Sequence, residues 1–286
     1  MRLIVTADLH YNHAKSRESA DELIDQINRS GGDVLIVVGD TASFDGDSLE
    51  KCLSRFQFAG SKLFVAGNHE LWTRGEDSYK IFRQSLPKRV RDIGWQWIQD
   101  EPFVAGEVAI VGSIGWYDYS FAQPSLGIPQ RFYAAKISPG AAEHQSEFSY
   151  LLGDDLSAHA KQIVARWNDG KFVKLHRSDE EFLDELLAEL KKQLDSLSHV
   201  KQVIAAVHHL PFVQLLPPSH NAQWDFAKAY LGSGRIGELL LTYTNVSHVF
   251  CGHSHFHAEA KIGQIEAINI GSGYRAKFFR TLDIAT

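Results

Sequence analysis

Val34-Leu35-Ile36-Val37-Val38-Gly39-Asp40 is an unbroken apolar run that ends on a glycine and an acid. Such a run reads as a strand buried on both faces, as in parallel sheets covered by helices. The arrangement recurs along the chain. Leu3-Ile4-Val5 leads to Asp8-Leu9-His10, and Leu63-Phe64-Val65-Ala66 leads to Gly67-Asn68-His69-Glu70. Val203-Ile204-Ala205-Ala206-Val207 leads to His208-His209-Leu210-Pro211, and the shorter Val249-Phe250-Cys251 to Gly252-His253-Ser254-His255. In open α/β sheets, ligands gather outside the carboxyl ends of the strands. Five strands ending in carboxylate, carboxamide and imidazole groups predict one polar site assembled from the whole chain. That inventory suits metal ions, and two rather than one.

Between the first two strands, Ala20, Leu23, Ile24 and Ile27 share one helical face, and Gly31-Gly32 ends the helix. A second β-α-β unit follows, with a helix near 47–58 that turns Leu49, Cys52, Leu53 and Phe56 inward. Residues 76–86 read as a helix stopped by Pro87, and 108–114 as a strand ending at Gly115. Ser178 and Glu181 form a capping box for a helix over 179–197 with a Phe182, Leu186, Leu190, Leu194, Leu197 stripe. A helix through Ile236, Leu239 and Leu240 leads to a strand at 247–251. The alternation in 262–270 and 278–284 predicts antiparallel edge strands.

The motifs span residues 8 to 255 of 286, so a cut into independent halves would divide the site. One domain over 1–286 is expected, with an insertion or lid at about 116–176. A net charge of −6 counts against a general nucleic-acid surface but not against a phosphorylated substrate, since bound cations would make the site positive. Two cysteines are too few for a disulfide framework. Arg2 is followed by about five strand-like residues, short of a signal-peptide core, and no apolar stretch approaches the roughly 20 residues of a membrane span. A soluble cytoplasmic protein is expected.

Taken in order, the five blocks resemble the signature of the calcineurin-like metallophosphoesterase superfamily: D-x-H, G-D, G-N-H-E/D, a lone H and G-H-x-H. The resemblance covers residues 3 to about 273, apart from a poorly matched middle. It implies a four-layer α-β-β-α sandwich with two facing mixed sheets, where local pattern alone gives only α/β (or α+β). It also implies a site for two divalent metal ions. Asp40 takes the bridging position, as a carboxylate between cations about 3.5–4 Å apart must. Asp8 and His10, two apart on a strand or its extension, project the same way to the first ion, and His255 completes its shell. Asp40, Asn68 through its amide oxygen, His208 and His253 surround the second. This N/O shell without thiolate suits Mn, Fe, Zn or Ni.

The implied reaction is hydrolysis of a small phosphorylated substrate by direct attack of metal-bound hydroxide on phosphorus, with His69 matching the family's general acid. Small phosphodiesters or nucleotides are favoured over monoesters, because no Arg pair lies near the motifs to grip a dianion. Arg74 and Arg275 are candidates for that grip. His209, Trp116 and Tyr117 are further candidate substrate contacts, the last two as part of a lid. A protein Ser/Thr phosphatase or nuclease of the same superfamily, and a non-catalytic metal-binding scaffold, remain alternatives. Glu70 reads equally as an orienting group and as a helix N-terminal acid. There is no G-x-S-x-G elbow, no P-loop and no G-x-G-x-x-G directly after a strand to offer a rival mechanism.

Overall fold

The computed structural model describes residues 1–75 and 77–284. Glu76, the first residue of the helix predicted over 76–86, and the last two residues of the predicted 1–286 domain lie outside the described residues. The strands are β1 (Arg2–Thr6), β2 (Val34–Val38), β3 (Ser61–Val65), β4 (Gln96–Trp97), β5 (Phe103–Ala105), β6 (Val108–Ser113), β7 (Gln202–Val207), β8 (Val246–Cys251), β9 (Ala258–Ile262), β10 (Ile265–Asn269) and β11 (Phe279–Asp283). They form two mixed sheets, one ordered β11-β1-β2-β3-β4 and the other β5-β6-β7-β8-β10-β9.

The period-two alternation of strands builds the layers. Leu3, Val5, Val34, Ile36, Leu63 and Val65 pack with Ile110, Ile204, Ala206 and Phe250 of the other sheet. Ile4, Leu35, Val37 and Phe64 turn the other way, into the core that includes the helical residues Leu23, Ile24 and Ile27. On the far side Phe182, Leu186, Leu190 and Leu194 belong to the same apolar core as Ala109 and Val111 of β6. The result is the predicted α-β-β-α sandwich. β1, β2 and β3 run parallel, as do β6, β7 and β8, so within each set the carboxyl ends lie on one edge.

Helix Ala14–Ser30 ends at Gly31, which adopts φ 63°, and helix Asp179–Asp195 starts with the Ser178–Glu181 capping box. Two expectations change. Pro87 does not stop a helix: Ser78–Lys80 passes through a π turn, Ile81–Ser85, into helix Leu86–Asp92, with Pro87 in the first turn of that last piece. The wider i→i+5 turn ahead of the proline relieves the collision its ring otherwise makes with a carbonyl. Near the C-terminus, β9 and β11 are edge strands, but β10 lies between β8 and β9 and pairs in parallel with β8.

The segment 116–176 contains short helices and turns with a small apolar cluster of its own, Phe132, Ile137, Ala141, Ala142, Leu151 and Leu156. Among the described residues no helix is long and apolar enough to cross a membrane.

Candidate metal centre

The polar groups beyond the parallel strand ends meet where the two sheets face each other. Asp8 and His10 follow β1, Asp40 follows β2, Asn68 and His69 follow β3, His208 follows β7, and His253 and His255 follow β8. Asp8, His10, Asp40, His253 and His255 all adopt positive φ, between 46° and 70°. Asp8 and His10 are thus not an extension of β1; they converge because the backbone turns left-handed at both. Strain of about 1–3 kcal/mol at each such residue persists only where the surroundings over-determine it. The buried strands supply that constraint, at about 1.5–3 kcal/mol for each fully buried Val, Leu or Ile.

Two sets of groups share Asp40. The ligand atoms of Asp8, His10, Asp40 and His255 lie within 4.8 Å of one another, and so do those of Asp40, His208 and His253. Asp40 Oδ1 is 3.3 Å from His208 Nε2, while Oδ2 is 3.8 Å from His10 Nε2. One oxygen of the carboxylate therefore faces each set. His10, His13 and His69 form a third close group, with His13 a member that the motif pattern did not anticipate.

Backbone bonds aim these side chains. His208 Nδ1 pairs with the Val38 carbonyl at 2.9 Å, leaving Nε2 to face Asp40. His253 Nε2 pairs with the Tyr230 carbonyl at 3.2 Å, leaving a buried Nδ1 without a hydrogen-bond partner among the described residues. An imidazole whose other nitrogen is held by a carbonyl is the usual form of a metal-binding histidine. Asp8 Oδ2 and Asn68 Oδ1 are likewise buried without such partners. Unpaired lone pairs on buried oxygen and nitrogen are costly, and a cation satisfies them. This donor set fits two divalent ions.

The close approach also explains two glycines. A Cβ on Gly67 would collide with Asp40 Oδ1, and one on Gly252 with Asp8 Oδ2. Glu70 has the orienting role: it accepts the backbone N–H groups of Asp40 at 2.9 Å, Thr41 at 2.6 Å, Ala42 at 3.1 Å and Gly67 at 2.7 Å. It clamps the turn after β2 to the turn after β3. Burial pushes its carboxyl up to about 8, with the Gly67 and Ala42 donors pulling the other way.

Burial pushes Asp8 up to about 7 against the pull of His208. Burial acts on Asp40 in the same sense, but His69, His208 and His10 outweigh it and hold this carboxyl well below the usual range. His69 is lowered by burial, while Asp40 and Asp169 act to keep its proton.

A cavity of about 390 Å³ opens beside this cluster. Asp40, Asn68, His69, His253 and His255 line one side, and Trp72, Trp167, Trp224 and Tyr274 contribute to the rest. The structure does not bring the predicted substrate contacts to this wall. Trp116 and Tyr117 are fully buried, stacked on each other at 4.7 Å, and Trp116 Nε1 donates to Asp179. The chain after β6 dives into the aromatic core, where Trp116 packs on His209 and Tyr117 OH donates to Asp169, instead of forming a lid. His209 is fully buried, with Nδ1 on the Ile114 carbonyl and its ring 4.3 Å from that of His253. Arg74 and Arg275 are exposed and do not line the cavity. Two residues beyond Arg275, Lys277 donates from Nζ to the Asp8 carbonyl at 2.5 Å.

The family model for calcineurin-like phosphoesterases matches residues 1–257. The chain belongs to that family. It is a metal-dependent phosphoester hydrolase of a dimetal lineage, carrying His and Asp groups able to hold metal. No curated protein matches the sequence. Among solved structures, this phosphoesterase is similar to a phosphopantetheinyl hydrolase from Mycobacterium tuberculosis, at 20% identity and a TM-score of 0.69, covering 96% of this chain and 89% of that one. It is also similar to a dimetal phosphatase from Danio rerio, at 14% identity and a TM-score of 0.54, covering 98% of this chain and 91% of that one. At these identities the likeness is one of fold.

Proposed function

We propose that this phosphoesterase hydrolyses small phosphodiesters, nucleotide diesters among them, at a two-ion centre. Asp8, His10, Asp40 and His255 hold one ion, and Asp40, Asn68, His208 and His253 the other. The carrying observation is the Asp40 carboxylate, whose two oxygens face the two sets separately. Two bound divalent ions supply an activated water near neutral pH and neutralise phosphate charge. The N/O donors suit Mn, Fe, Zn or Ni.

His69 is the group we assign to protonate the leaving oxygen. It lines the cavity, its Nε2 lies 3.8 Å from Asp40 Oδ2, and its ring stacks on Trp72 at 3.7 Å. The preference for a diester rests on the scarcity of cations. Arg166 is the one Arg or Lys among the described residues lining the cavity, and its guanidinium already donates to Gln145 and lies near Glu147. A monoester dianion gains little from such a wall. We read the chain as a single domain in which 116–176 is an insertion that walls the substrate space. Two free cysteines, both buried, support a cytoplasmic setting.

The test is hydrolysis of paired diesters by Mn²⁺-loaded protein, with nucleotide and phosphopantetheinyl esters in the panel. His69→Ala should lose roughly 10²–10⁴-fold on esters with poor leaving groups. Nitrophenyl diesters, which barely need the proton, should lose far less. Equal losses on both sink the acid role, and monoesters turned over faster than every diester sink the substrate class.

A further inference from the structure

Asp169 is fully buried near the C-terminal end of the segment 116–176, and the motifs gave no reason to single it out. Its Oδ1 accepts from Asn68 Nδ2 at 2.8 Å and from Trp72 Nε1 at 2.6 Å. Its Oδ2 accepts from Trp167 Nε1 at 2.8 Å and from Tyr117 OH at 3.0 Å. Four neutral donors thus converge on one carboxylate. They come from the turn after β3 and from the 116–176 segment itself, Tyr117 at its start and Trp167 near its close.

An asparagine amide has an oxygen that accepts and a nitrogen that donates, and either can face a given neighbour. An ionised carboxylate only accepts. Facing Asp169, Asn68 must present Nδ2, and its Oδ1 is then turned to the opposite side. That oxygen is buried without a hydrogen-bond partner among the described residues. A flipped amide would aim N–H groups at a cation. The carboxylate oxygen that decides this also holds Trp72, whose ring stacks at 3.7 Å on His69.

We propose that Asp169 is a positioning residue that locks the Asn68 amide oxygen toward the second ion, so that the 116–176 segment controls occupancy of that ion. The proposal rests on the two-ion reading above. It makes the segment part of the metal centre as well as a wall for substrate.

The experiment is calorimetric titration of metal-free protein with Mn²⁺. Asp169→Asn is nearly isosteric but no longer acceptor-only. It should weaken the second ion by about 10–100-fold, the usual cost of losing a group that orients a ligand, and leave the first ion unchanged. The double variant Asn68→Asp/Asp169→Asn reverses the pair: the amide at 169 donates to a carboxylate at 68, whose other oxygen faces the ion. It should recover at least tenfold of the lost affinity. Unchanged affinities in Asp169→Asn overturn the proposal. So does a double variant as weak as the single one, because a packing role for Asp169 is not rescued by changing Asn68. If the single variant fails to fold, the double variant is compared directly with wild type. Second-ion affinity within tenfold supports the proposal and any larger loss overturns it. Wild-type protein that saturates with one ion sinks the two-ion reading, and this inference with it.

Discussion

The candidate ligands all lie within a few residues of strand ends, whereas the aromatic groups around the cavity come from scattered places. Trp72 follows β3, Trp167 belongs to the 116–176 segment, Trp224 sits in helix Ala222–Ala227, and Tyr274 lies between β10 and β11. The ligand edge is held by backbone: parallel strands, left-handed turns, and Glu70 tied to four N–H groups. The wall is held by side chains acting on side chains, as where Trp72 is sandwiched between His69 and Phe172, or Trp167 stacks on Tyr230 at 5.2 Å. Backbone-held groups tolerate little change, because moving one moves a strand end. Side-chain-held groups can be exchanged piecemeal. The chemistry is therefore expected to be rigid and substrate choice adaptable.

Removing the group both ligand sets share is the severest test of that contrast. Asp40→Ala removes the carboxylate that both sets of candidate ligands share. It should abolish binding of two ions and lower kcat by at least about 10³-fold, beyond the loss of a single transition-state donor. Mn²⁺ titration together with steady-state kinetics measures both. Retention of two ions, with activity within tenfold of wild type, would break the account of the ligand edge.

A smaller effect comes from pH. Burial holds the Asp8 carboxyl up at about 7 in the metal-free protein. Below that value a cation must displace a proton, so affinity for the first ion should fall about tenfold per pH unit. Above it, affinity should level off. Titrations in buffers of different ionisation enthalpy report the released proton directly, and a flat profile down to about pH 5 would show that Asp8 is already ionised.

The smallest effect belongs to the wall. Trp224 lines the cavity, and its Nε1 has no hydrogen-bond partner among the described residues, so Trp224→Ala probes the wall without breaking a bond to the ligand edge. An aromatic contact worth about 0.5–1.5 kcal/mol predicts a KM increase of roughly 2–12-fold for a diester with a large substituent. Values of kcat, and turnover of a small chromogenic diester, should stay within about twofold. A matching fall in both substrates would mean that wall and ligand edge are not separable.

The strand ends were legible because each carries its message locally. An apolar run followed within four residues by Asp40, Asn68 or His253 states both the element and the group at its tip. The capping box at Ser178 and the end of the first helix at Gly31 were readable for the same reason. The misread residues mark the limit of local pattern. Trp116 and Tyr117 follow a strand end as closely as the ligands do, yet they pack inward, since aromatic rings gain more from burial against Phe182 and Tyr230 than from water.

Sequence by itself determined which polar groups stand at the five strand ends, and in what order, because hydrophobic runs dictate strands and strands dictate where their ends emerge; the resemblance to the family made those groups the candidate ligands. Tertiary structure alone decided which oxygen of Asp40 faces which set, that five ligands sit at positive φ, and that Lys277 reaches Asp8. It alone brought Asp169 to Asn68 across 101 positions of chain. Contacts between residues so far apart depend on how whole layers stack, and the residues that make them carry no periodicity that would announce the meeting.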